Sequence, residues 1–561
     1  MAVEENRVNE EAYLDWITEN DHKKGTFERT ITTRFPPEPN GFLHIGSAYA
    51  IHLNYMAAKR YGGHFNLRFD DTNPLREDQA FVDGIIEDME WLGYSPGSRI
   101  YYGSDYFQTI FEAAATLIKK GSAYVCDLNP EEITAGRGTL TEAGTESPFR
   151  ERSAEENLKR FLEMKEGRYP AGSCVLRAKI DMKSPNMNLR DPVLYRIIHA
   201  DHYRTGQEWC IYPMYDFAHP LQDVIEGVTH SLCSLEFKDH RPLYEWVLNE
   251  LGAEAPPKQR EFGRVNMTGV VTSKRFLREL VSEGLVDGWD DPRLPTLRGL
   301  RRRGFTPESI RNFIRRLGLV KHQTSVDFSL LEHFVRADLQ HTTSSIMAVL
   351  KPLKVTITNY EEGKTELLEL DNNSGNPGLG SREIPFSGVI YIEKDDFMEI
   401  PAKGFKRLSP GTEVRLKGAY FIKCQDVVKD ERTGEIIELL CTYDPETKSG
   451  TGFSGRKVKG TIHWVSDAHA DGIEVHLLDS LLKKNGEVTD GNDSLAVKIN
   501  PVSRVVLKGC KIERGGIEER VQFMRHGYFC RDKQNSPDGD PVFIRTVSLK
   551  DSWRRPEESN H

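Results

Sequence analysis

The first half of the chain alternates between short apolar runs and longer amphipathic segments. The run Thr30-Ile31-Thr32-Thr33 predicts a strand, and the amphipathic stretch after it, which stops at Gly62-Gly63, predicts a helix. A second predicted helix has one apolar face, formed by Phe81, Ile85, Met89 and Leu92. Such alternation, from about residue 26 to 251, predicts a doubly wound, Rossmann-type α/β domain with a parallel sheet. Ligands of such domains bind beyond the carboxyl ends of the strands.

The pattern changes further along the chain. A block at 121–189 interrupts the alternation and is expected to be an insertion, and Trp209-Cys210-Ile211-Tyr212 predicts a buried strand. From Trp289 the pattern is helical, with a helix start at Thr306-Pro307. After residue 348, alternating runs separated by glycine, asparagine and proline turns predict one or two β-barrels. These runs lie at 355–358, 389–392, 414–416, 461–464, 505–507 and 542–544.

A chain of 561 residues has room for three or four domains of about 150 residues each. The expected division is as follows: an N-terminal extension at 1–25, the two halves of the α/β domain at 26–120 and 190–288, the insertion at 121–189, a helical domain at 289–347, two β-barrels at 348–550, and a polar tail at 551–561.

Cysteine usage and hydropathy restrict the environment of the protein. The eight cysteines are scattered, without a C-x-x-C pair, which argues against a zinc ribbon and a disulfide framework and favours a reducing cytoplasm. No segment approaches the roughly 20 apolar residues of a membrane span. The acidic stretch at 1–11 lacks the apolar core of a signal peptide. We therefore expect a cytoplasmic protein without membrane contact.

The net charge is −10, from 75 basic and 85 acidic residues, which by itself speaks against nucleic-acid binding. The distribution of charge changes this picture, because the segment 297–316 contains seven arginines and a single acid, Glu308. These arginines are Arg298, Arg301, Arg302, Arg303, Arg311, Arg315 and Arg316. Taken alone, such a cluster is about as often an ordinary solvated helix face as it is a nucleic-acid-binding surface.

Two short segments carry candidate phosphate chemistry. In the stretch 34–47, a strand leads through a turn at His44 into a helix, and a helix N-terminus presents free backbone N–H groups to an anion. About 230 residues later, Val271-Thr272-Ser273-Lys274-Arg275 offers a second phosphate-handling element. Each is weak alone, since a lone histidine is more often structural and a lone lysine usually lies on the surface. Together on one α/β domain they are informative.

The two segments match the paired H-I-G-H and K-M-S-K-S signatures of class I aminoacyl-tRNA synthetases. The words around them closely resemble glutaminyl-tRNA synthetases, and the likeness extends from about residue 25 to 555. The segments that carry it are 34–47, 66–74, 191–196, 212–217, 229–233, 299–304 and 460–465.

The resemblance implies a two-step reaction. The carboxylate of L-glutamine attacks the α-phosphate of ATP to give glutaminyl-adenylate and pyrophosphate, and the 2′-OH of the terminal ribose of tRNA(Gln) then accepts the glutaminyl group. Family members of this type need tRNA even for activation. The insertion would bind the acceptor stem and the two barrels the anticodon. Mg²⁺ would accompany ATP, held by phosphate oxygens, with no protein-bound metal or structural zinc. A monomer is expected.

The resemblance also implies site residues. The catalytic candidates are His44, Ser47, Ser273 and Lys274. The ATP-binding candidates add Glu38, Pro39, Asn40, Ile45, Gly46, Ala48, Tyr49, Ala50, Ser234, Arg264, Val265 and Thr272. The glutamine-binding candidates are Asp70 for the α-ammonium, Tyr215 for the side-chain amide, and Arg34, Cys233 and Gln259. The tRNA-binding candidates are Leu140, Asp239, Arg311, Arg315, Val320, Lys321, His322, Gln323, Thr324, Lys406, Arg407 and Arg545.

Several of these residues also have ordinary structural explanations. Asp70 could cap a helix, Tyr215 could be a core tyrosine, and Leu140 could be a plain loop leucine. Selection of glutamine over glutamate needs a neutral pocket, because glutamate would leave a charged oxygen without a proton donor. Cys233 lies where glutamate-specific relatives tend to carry arginine, which favours glutamine.

The sequence departs from the family pattern at four positions. Ser47 replaces the second histidine of the first signature, and Val271 and Thr272 replace the first lysine and the methionine of the second. Ser345 lies where an arginine contacting the anticodon is expected.

Three alternatives remain open. A glutamyl-tRNA synthetase is the nearest, disfavoured by Cys233 and the paired barrels. A small-molecule adenylyltransferase would not need about 200 residues of barrel. A catalytically silent tRNA-binding paralogue is disfavoured by intact His44, Asp70 and Lys274. A P-loop NTPase is disfavoured, because Gly363-Lys364-Thr365 lacks the earlier glycine at the required spacing.

Overall fold

The structure is a computed structural model that describes residues 30–458, 460–483, 498–536 and 540–550. The expected N-terminal extension and polar tail lie outside these residues. The chain divides into two compact units. The first holds the residues up to Met267 with Thr272–Arg278 and Ile314–Val326; the second holds Thr268–Val271, Glu279–Phe313 and the residues from Asp327 onward. No helix in the described ranges has the length and apolar character that a bilayer crossing requires.

The first unit contains most of the helices. Its strands are β1 (Thr32–Phe35), β2 (His64–Phe69), β3 (Ile100–Tyr102), β4 (Ala123–Cys126), β5 (Val175–Ala178), β6 (Val193–Ile197), β7 (Ile211–Pro213), β8 (His230–Ser234), β9 (Lys258–Phe262), β10 (Val265–Thr268) and β11 (Thr324–Asp327). Its helices are α1 (Ile45–Arg60), α2 (Gln79–Leu92), α3 (Phe107–Lys120), α4 (Pro130–Gly136), α5 (Ala154–Lys165), α6 (Tyr215–Ile225) and α7 (Arg241–Glu250). Helix α8 (Lys274–Ser282) begins here and ends in the second unit.

Parallel strands form the centre of this unit. β1, β2 and β3 are neighbours in that order, and β8 pairs with β9 in parallel. The backbone N–H of Thr229 donates to the Thr32 carbonyl at 2.9 Å, which places the start of β8 beside β1. The helices α1 and α2 follow β1 and β2 as predicted, and α2 ends at Gly93 with φ +81°. The expected amphipathic character of α1 is wrong, because its consecutive residues 51–54 are all buried and the helix therefore packs on more than one face. The Rossmann-type prediction is confirmed.

A separate antiparallel sheet follows. Strands β4 to β7 pair in sequence order, and their core is formed with α3 and α5 around Phe111 and Phe161, whose rings stack at 4.7 Å. The sheet continues beyond residue 189, to Pro213. The strand predicted at Trp209 begins at Ile211 and pairs antiparallel with β6, so it belongs to this sheet and not to the parallel one. Apolar content alone could not distinguish the two.

The second unit joins a few helices to two large sheets. Its helices are α9 (Leu297–Arg302), α10 (Pro307–Leu317), which ends in the first unit, and α11 (Phe328–Thr342). Its strands are β12 (Ser344–Ile346), β13 (Ala348–Val349), β14 (Pro352–Ile357), β15 (Thr365–Asp371), β16 (Ser381–Ser387), β17 (Val389–Glu393), β18 (Glu413–Leu416), β19 (Phe421–Lys429), β20 (Ile436–Asp444), β21 (Thr461–Ile462), β22 (Val465–Ser466), β23 (Ala470–Leu478), β24 (Arg504–Glu513), β25 (Arg520–Phe523), β26 (Gly527–Arg531) and β27 (Val542–Ser548).

Two seven-stranded sheets correspond to the predicted barrels. One has the order β21-β18-β19-β20-β14-β17-β22 and the other β12-β25-β26-β27-β23-β24-β13. The first encloses a core with Phe386 against Trp464, and the second a core with Phe523 stacked on Phe529 at 4.2 Å. Gly304, after α9, has φ +96°, and a Cβ there would lie 2.5 Å from the Cβ of Cys530, so only glycine fits.

A buried ion-pair network ties β1, β2 and α6 together. Arg34 on β1 and Arg68 on β2 both donate to Oδ1 of Asp223 on α6, at 3.2 and 2.7 Å, with all three side chains fully buried. The Tyr244 hydroxyl donates to the other oxygen at 3.0 Å. Burial disfavours the charged carboxylate, but the two arginines hold the pKa of Asp223 well below its usual range.

We predict that Asp223→Asn destabilises the first unit by about 3–5 kcal/mol, because it leaves the buried Arg34 without a counter-charge and the buried Arg68 with Glu226 alone. Urea unfolding measures this loss of stability, and hydrogen exchange of the β1 and β2 peptides shows where it occurs. The matched control is Glu151→Gln, which removes an exposed ion pair with Lys179 in the same unit and should leave the midpoint almost unchanged. Equal effects of both substitutions would contradict the role of the network.

Candidate active site

His44 caps the N-terminus of α1 with its own ring. Its Nδ1 accepts the Gly46 backbone N–H at 3.1 Å, and the Ser47 hydroxyl accepts the His44 N–H at 3.5 Å. The backbone N–H groups of Ser47 and Ala48 donate to the His44 carbonyl. The expectation of free N–H groups at this turn is therefore wrong for residues 46–48, because the His44 ring accepts from Gly46 and the His44 carbonyl accepts from Ser47 and Ala48. What remains available to a ligand is the side chain of His44.

The ring of His44 is held neutral and in one tautomer. Burial, with the positive charges of Lys274 and Arg264, lowers the pKa of His44 to about 4. Since Nδ1 accepts a hydrogen bond, the proton of the neutral ring lies on Nε2, which is then a donor. A Cβ at position 46 would lie 2.8 Å from Cε1 of His44, so Gly46 leaves the room that the ring needs.

Lys274 brings the second signature to the first. Its Nζ donates to Oδ1 of Asn40 at 2.9 Å, and Arg278 donates to the Asn40 carbonyl at 2.8 Å. Burial lowers the pKa of Lys274, opposed by the negative charge of Glu38. The two segments singled out in the sequence thus meet within the first unit, with basic groups concentrated around Asn40. Arg278 was missed by sequence reasoning, because an arginine on an amphipathic helix gives no distinguishing signal.

The other ATP candidates divide by burial. Ile45, Ala48 and Tyr49 lie in the core, and the Tyr49 hydroxyl donates to the Gly318 carbonyl at 3.2 Å. The ATP candidates at this turn that are partly exposed are Glu38, Gly46, Ser47 and Ala50. Pro39 and Asn40 are buried.

The ATP candidates from later in the chain begin with Ser234 and Arg264. Both side chains donate hydrogen bonds to Glu236, at 3.2 and 2.5 Å. Val265 is buried on β10. Thr272 and Ser273 are partly exposed immediately before α8.

Asp70 is a buried carboxylate whose hydrogen bonding is incomplete. It follows β2, is 7% exposed, and its Oδ1 has no hydrogen-bond partner within the described ranges. Burial raises the pKa of Asp70 to about 7; Arg68 opposes this rise, and the carboxylates of Glu77, Asp71 and Glu38 add to it. The capping explanation fails, since Asp78 caps α2. An orphaned buried acid of this kind suits an incoming cation.

The neighbouring Asp71 is fully satisfied and fixes this loop. It accepts from the backbone N–H and hydroxyl of Ser104, both at 2.7 Å, and from the Tyr203 hydroxyl at 3.0 Å. His202 contacts the Asp71 carbonyl at 3.0 Å. These partners come from distant segments, so no local sequence pattern pointed to them.

Three of the remaining glutamine-binding candidates, Tyr215, Gln259 and Arg34, lie in one wall of the candidate pocket. The Tyr215 ring stacks on His219 at 4.8 Å and lies 5.2 Å from the ring of Phe237. Gln259 donates to the Phe237 carbonyl at 3.1 Å. Arg34 is committed to Asp223, the Leu232 carbonyl and Ser231.

Position 233 carries no charge. Cys233 is 8% exposed on β8, and its thiol lies 3.8 Å from the Arg260 carbonyl. Burial raises the pKa of Cys233 to about 12, so the thiol is neutral at physiological pH.

Leu140 stands on a braced loop. Its side chain is 81% exposed. The Arg190 guanidinium donates to the carbonyls of Arg137, Thr139 and Glu142 at 2.8–2.9 Å. Gly138 has φ +76°, and a Cβ there would lie 2.6 Å from the Glu142 carbonyl oxygen. The loop is therefore held from within while it displays an apolar tip, and Arg190 is a second residue that sequence reasoning missed.

Other tRNA candidates are scattered. Asp239 is exposed, and its carbonyl accepts from Asn186 and Asn188. Arg311 is bonded to Glu308, and Arg315 is exposed in the last turn of α10. The segment Val320, Lys321, His322, Gln323 and Thr324 is anchored by hydrogen bonds of Gly263 to Val320 and of Thr324 to Arg264.

Of the candidates on the two large sheets, Lys406 is exposed, whereas Arg407 pairs with Asp396 at 2.6 Å. Arg545 is half-buried and donates to the Leu478 carbonyl at 3.2 Å. At Ser345, where an arginine was expected, the backbone is bonded to Asn372 and Arg382.

One group in the described residues has the spacing of metal ligands: Glu393, His463 and His526. The carboxylate accepts from His526 at 2.8 Å and lies 3.6 Å from Nε2 of His463. Arg525, however, contacts Nδ1 of His463 at 3.3 Å and is paired with Asp396. If Nε2 bound a metal, Nδ1 would carry a proton facing that guanidinium, so the group fits an ion-pair network better than a metal site.

The chain matches known families along nearly its whole length. Residues 30–341 match the catalytic domain of the class I tRNA synthetases (E and Q), and residues 346–444 and 461–532 match two anticodon-binding domains of that family. A relative from Clostridium perfringens, named glutamine–tRNA ligase, is 56% identical over 94% of this chain and 95% of its own length. Relatives of the same name from Clostridium kluyveri and Stutzerimonas stutzeri are each 54% identical, over 98% and 96% of this chain and 99% and 98% of their own lengths. The chain therefore belongs to the class I tRNA synthetases of the glutamate and glutamine group.

Proposed function

We propose that this protein ligates L-glutamine to tRNA(Gln) with ATP, through a glutaminyl-adenylate, and transfers the glutaminyl group to the 2′-OH of the terminal ribose. The observation that carries the proposal is the meeting of Lys274 with Asn40 beside the neutral His44, in a chain whose relatives bear the glutamine–tRNA ligase name. A silent paralogue would have no reason to keep these groups together.

For the first step, the attack on the α-phosphate is an in-line displacement, so positioning and charge neutralisation dominate. His44 would donate its Nε2–H to a phosphate oxygen, and Lys274 would balance the charge that moves onto the leaving pyrophosphate. Ser47 and Ser273 would add hydroxyl donors, and Arg264 a further positive charge. Mg²⁺ would accompany ATP on the phosphate oxygens, since Glu38 is the sole acid among these candidates.

For the amino acid, Asp70 would receive the α-ammonium at its unpartnered oxygen. Tyr215 would contact the side-chain amide, with Gln259 and Arg34 keeping the wall in place. The neutral thiol of Cys233 offers glutamate no positive charge, so the second oxygen of glutamate would stay unpaired. This supports glutamine over glutamate, the choice also favoured by the relatives' name.

For tRNA, Leu140 would act as an apolar wedge at the end of the acceptor stem, and Asp239 would accept from a base amino group there. The arginines of 297–316 and the segment 320–324 would face the inner side of the tRNA. The barrels, with Lys406, Arg407 and Arg545, would hold splayed anticodon bases. Arg407 and Arg545 would exchange their present partners for RNA. We infer a monomer that acts in the cytoplasm, with the domain division expected from the sequence except that the sheet of the insertion extends to Pro213.

The test is pyrophosphate exchange into ATP with glutamine or glutamate, each with and without tRNA. We expect exchange only when glutamine and tRNA are both present. Exchange with glutamate would show that the neutral pocket does not discriminate, and no exchange under any condition would favour a tRNA-binding protein that has lost catalysis.

Lys274→Ala should lower the rate of exchange by about 10²–10³, because one lost donor to transition-state charge costs roughly 3–4 kcal/mol. Affinity for tRNA, measured by filter binding, should change little. Lys59→Ala, which removes an exposed positive charge at the far end of α1, is the matched control and should exchange at the parent rate. Unaltered exchange in Lys274→Ala would remove its assigned role.

The pH dependence should report on Asp70. Because its carboxylate must be ionised to hold an ammonium and its pKa is raised to about 7, kcat/KM for glutamine should fall about tenfold per pH unit below pH 7 and level off above it. Exchange kinetics at saturating ATP and tRNA between pH 5.5 and 8 measure this slope. The Asp70→Asn variant should have a low kcat/KM for glutamine that does not change with pH over the same range. A flat profile in the parent protein would rule out this ionisation as the requirement.

A further inference from the structure

Two cysteines of the first large sheet face each other across a strand pair. Cys424 on β19 and Cys441 on β20 are register partners in the antiparallel ladder. Both side chains are completely buried, and both are free thiols. The register shifts immediately after Cys424, between Cys424 and Asp426, where a β-bulge interrupts the ladder.

This placement suits a disulfide. Directly opposite residues of an antiparallel pair have Cβ atoms about 4.5–5.5 Å apart. A disulfide needs a Cβ separation of about 3.5–4.5 Å, with Cα atoms about 4.4–6.8 Å apart. Closing the bond thus requires a local shift of roughly 1 Å, and a bulge is the part of a strand that tolerates such a shift.

The two thiols are also close enough to interact electrostatically. A hydrogen bond from the Cys441 thiol lowers the pKa of Cys424, and the same contact, with burial, raises the pKa of Cys441. The Cys424 thiol also donates to the Asp426 carbonyl at 3.6 Å, a contact that favours its neutral form, so either sulfur can attack first and the other can resolve.

We propose that Cys424 and Cys441 are a reversible oxidation site, which hydrogen peroxide converts into a cross-strand disulfide. One thiol of the pair gives up its proton, its sulfur attacks one peroxide oxygen and the O–O bond breaks, so that a sulfenic acid forms and the released hydroxide takes the proton to become water. The sulfur of the second thiol then attacks the sulfenic sulfur, and the sulfenic oxygen leaves with the second thiol's proton as a second water. Two thiols lose two electrons in total, and one peroxide gains them.

Both sulfurs are covered, so the reaction depends on transient opening of the β19–β20 pair. Peroxide is small and uncharged and can enter such an opening, whereas a large disulfide reagent cannot. The closed form joins the two strands at the bulge and removes the freedom of the hairpin beyond it.

Two other buried cysteines of the second unit serve as internal comparisons. Cys510 is opposite Ile473, and Cys530 is opposite Arg520 and Ile544, so neither faces a thiol in its strand pairings. Each can form a sulfenic acid but has no resolving partner across the strand.

The experiment treats the full-length protein with hydrogen peroxide in native buffer and maps its peptides without reduction by mass spectrometry. We expect a mass loss of about 2 Da, a linked peptide containing Cys424 and Cys441, and full reversal by dithiothreitol. Hydrogen exchange of the amides at 425–440 should slow in the oxidised form. The link should be absent from Cys424→Ala and from Cys441→Ala, and retained in Cys510→Ala.

If a variant fails to fold, the non-reduced peptide map of the wild-type protein is by itself sufficient to test the proposal. Thiols that remain reduced after prolonged treatment, sulfinic acid at Cys424 or Cys441 in place of the link, or a linkage that appears only in denaturant would each overturn the proposal. Because the readout is covalent mapping and not charging activity, its failure is distinguishable from a failure of the proposed function.

Discussion

The shared carboxylate of Asp223 is the constraint on which the site depends. It binds Arg34 and Arg68, one from each of two neighbouring parallel strands, to the helix α6. β1 leads directly into the turn that holds Asn40 and His44, β2 ends immediately before Asp70, and α6 begins with Tyr215. One buried charge cluster therefore sets the relative positions of the groups assigned to phosphate, ammonium and amide. Its net contribution to stability is small, since desolvation opposes the attraction, but its geometry allows little deviation.

Within that frame, the satisfied and unsatisfied polar groups separate clearly. Asp71, Asp223 and Arg34 use their hydrogen-bonding capacity inside the protein. Asp70 keeps an oxygen without a partner in the described residues, and the capping contact of His44 leaves its Nε2–H for a ligand. Groups of the first kind fix the structure, and groups of the second kind are where substrate would supply what is missing.

The sequence predicted the elements well where periodicity was long, as in α2 and α10, and it predicted the α/β domain followed by β-sheets. It could not assign the strand at Ile211 to the antiparallel sheet, because a short apolar run reads the same in either sheet. The resemblance named Arg34 and Asp70, but it did not reveal that Arg34 is spent on Asp223 or that Arg190 braces the Leu140 loop. Those facts depend on contacts between residues distant in the chain, which local patterns do not encode.

The braced loop has a thermodynamic consequence. Arg190 and Gly138 fix the backbone around Leu140 before any partner binds. The loop therefore loses its conformational entropy during folding and not on association. The exposed leucine then behaves as a preset apolar surface. If Leu140 inserts between stacked bases as proposed, calorimetry would show a negative heat-capacity change without the large ordering penalty of a mobile loop.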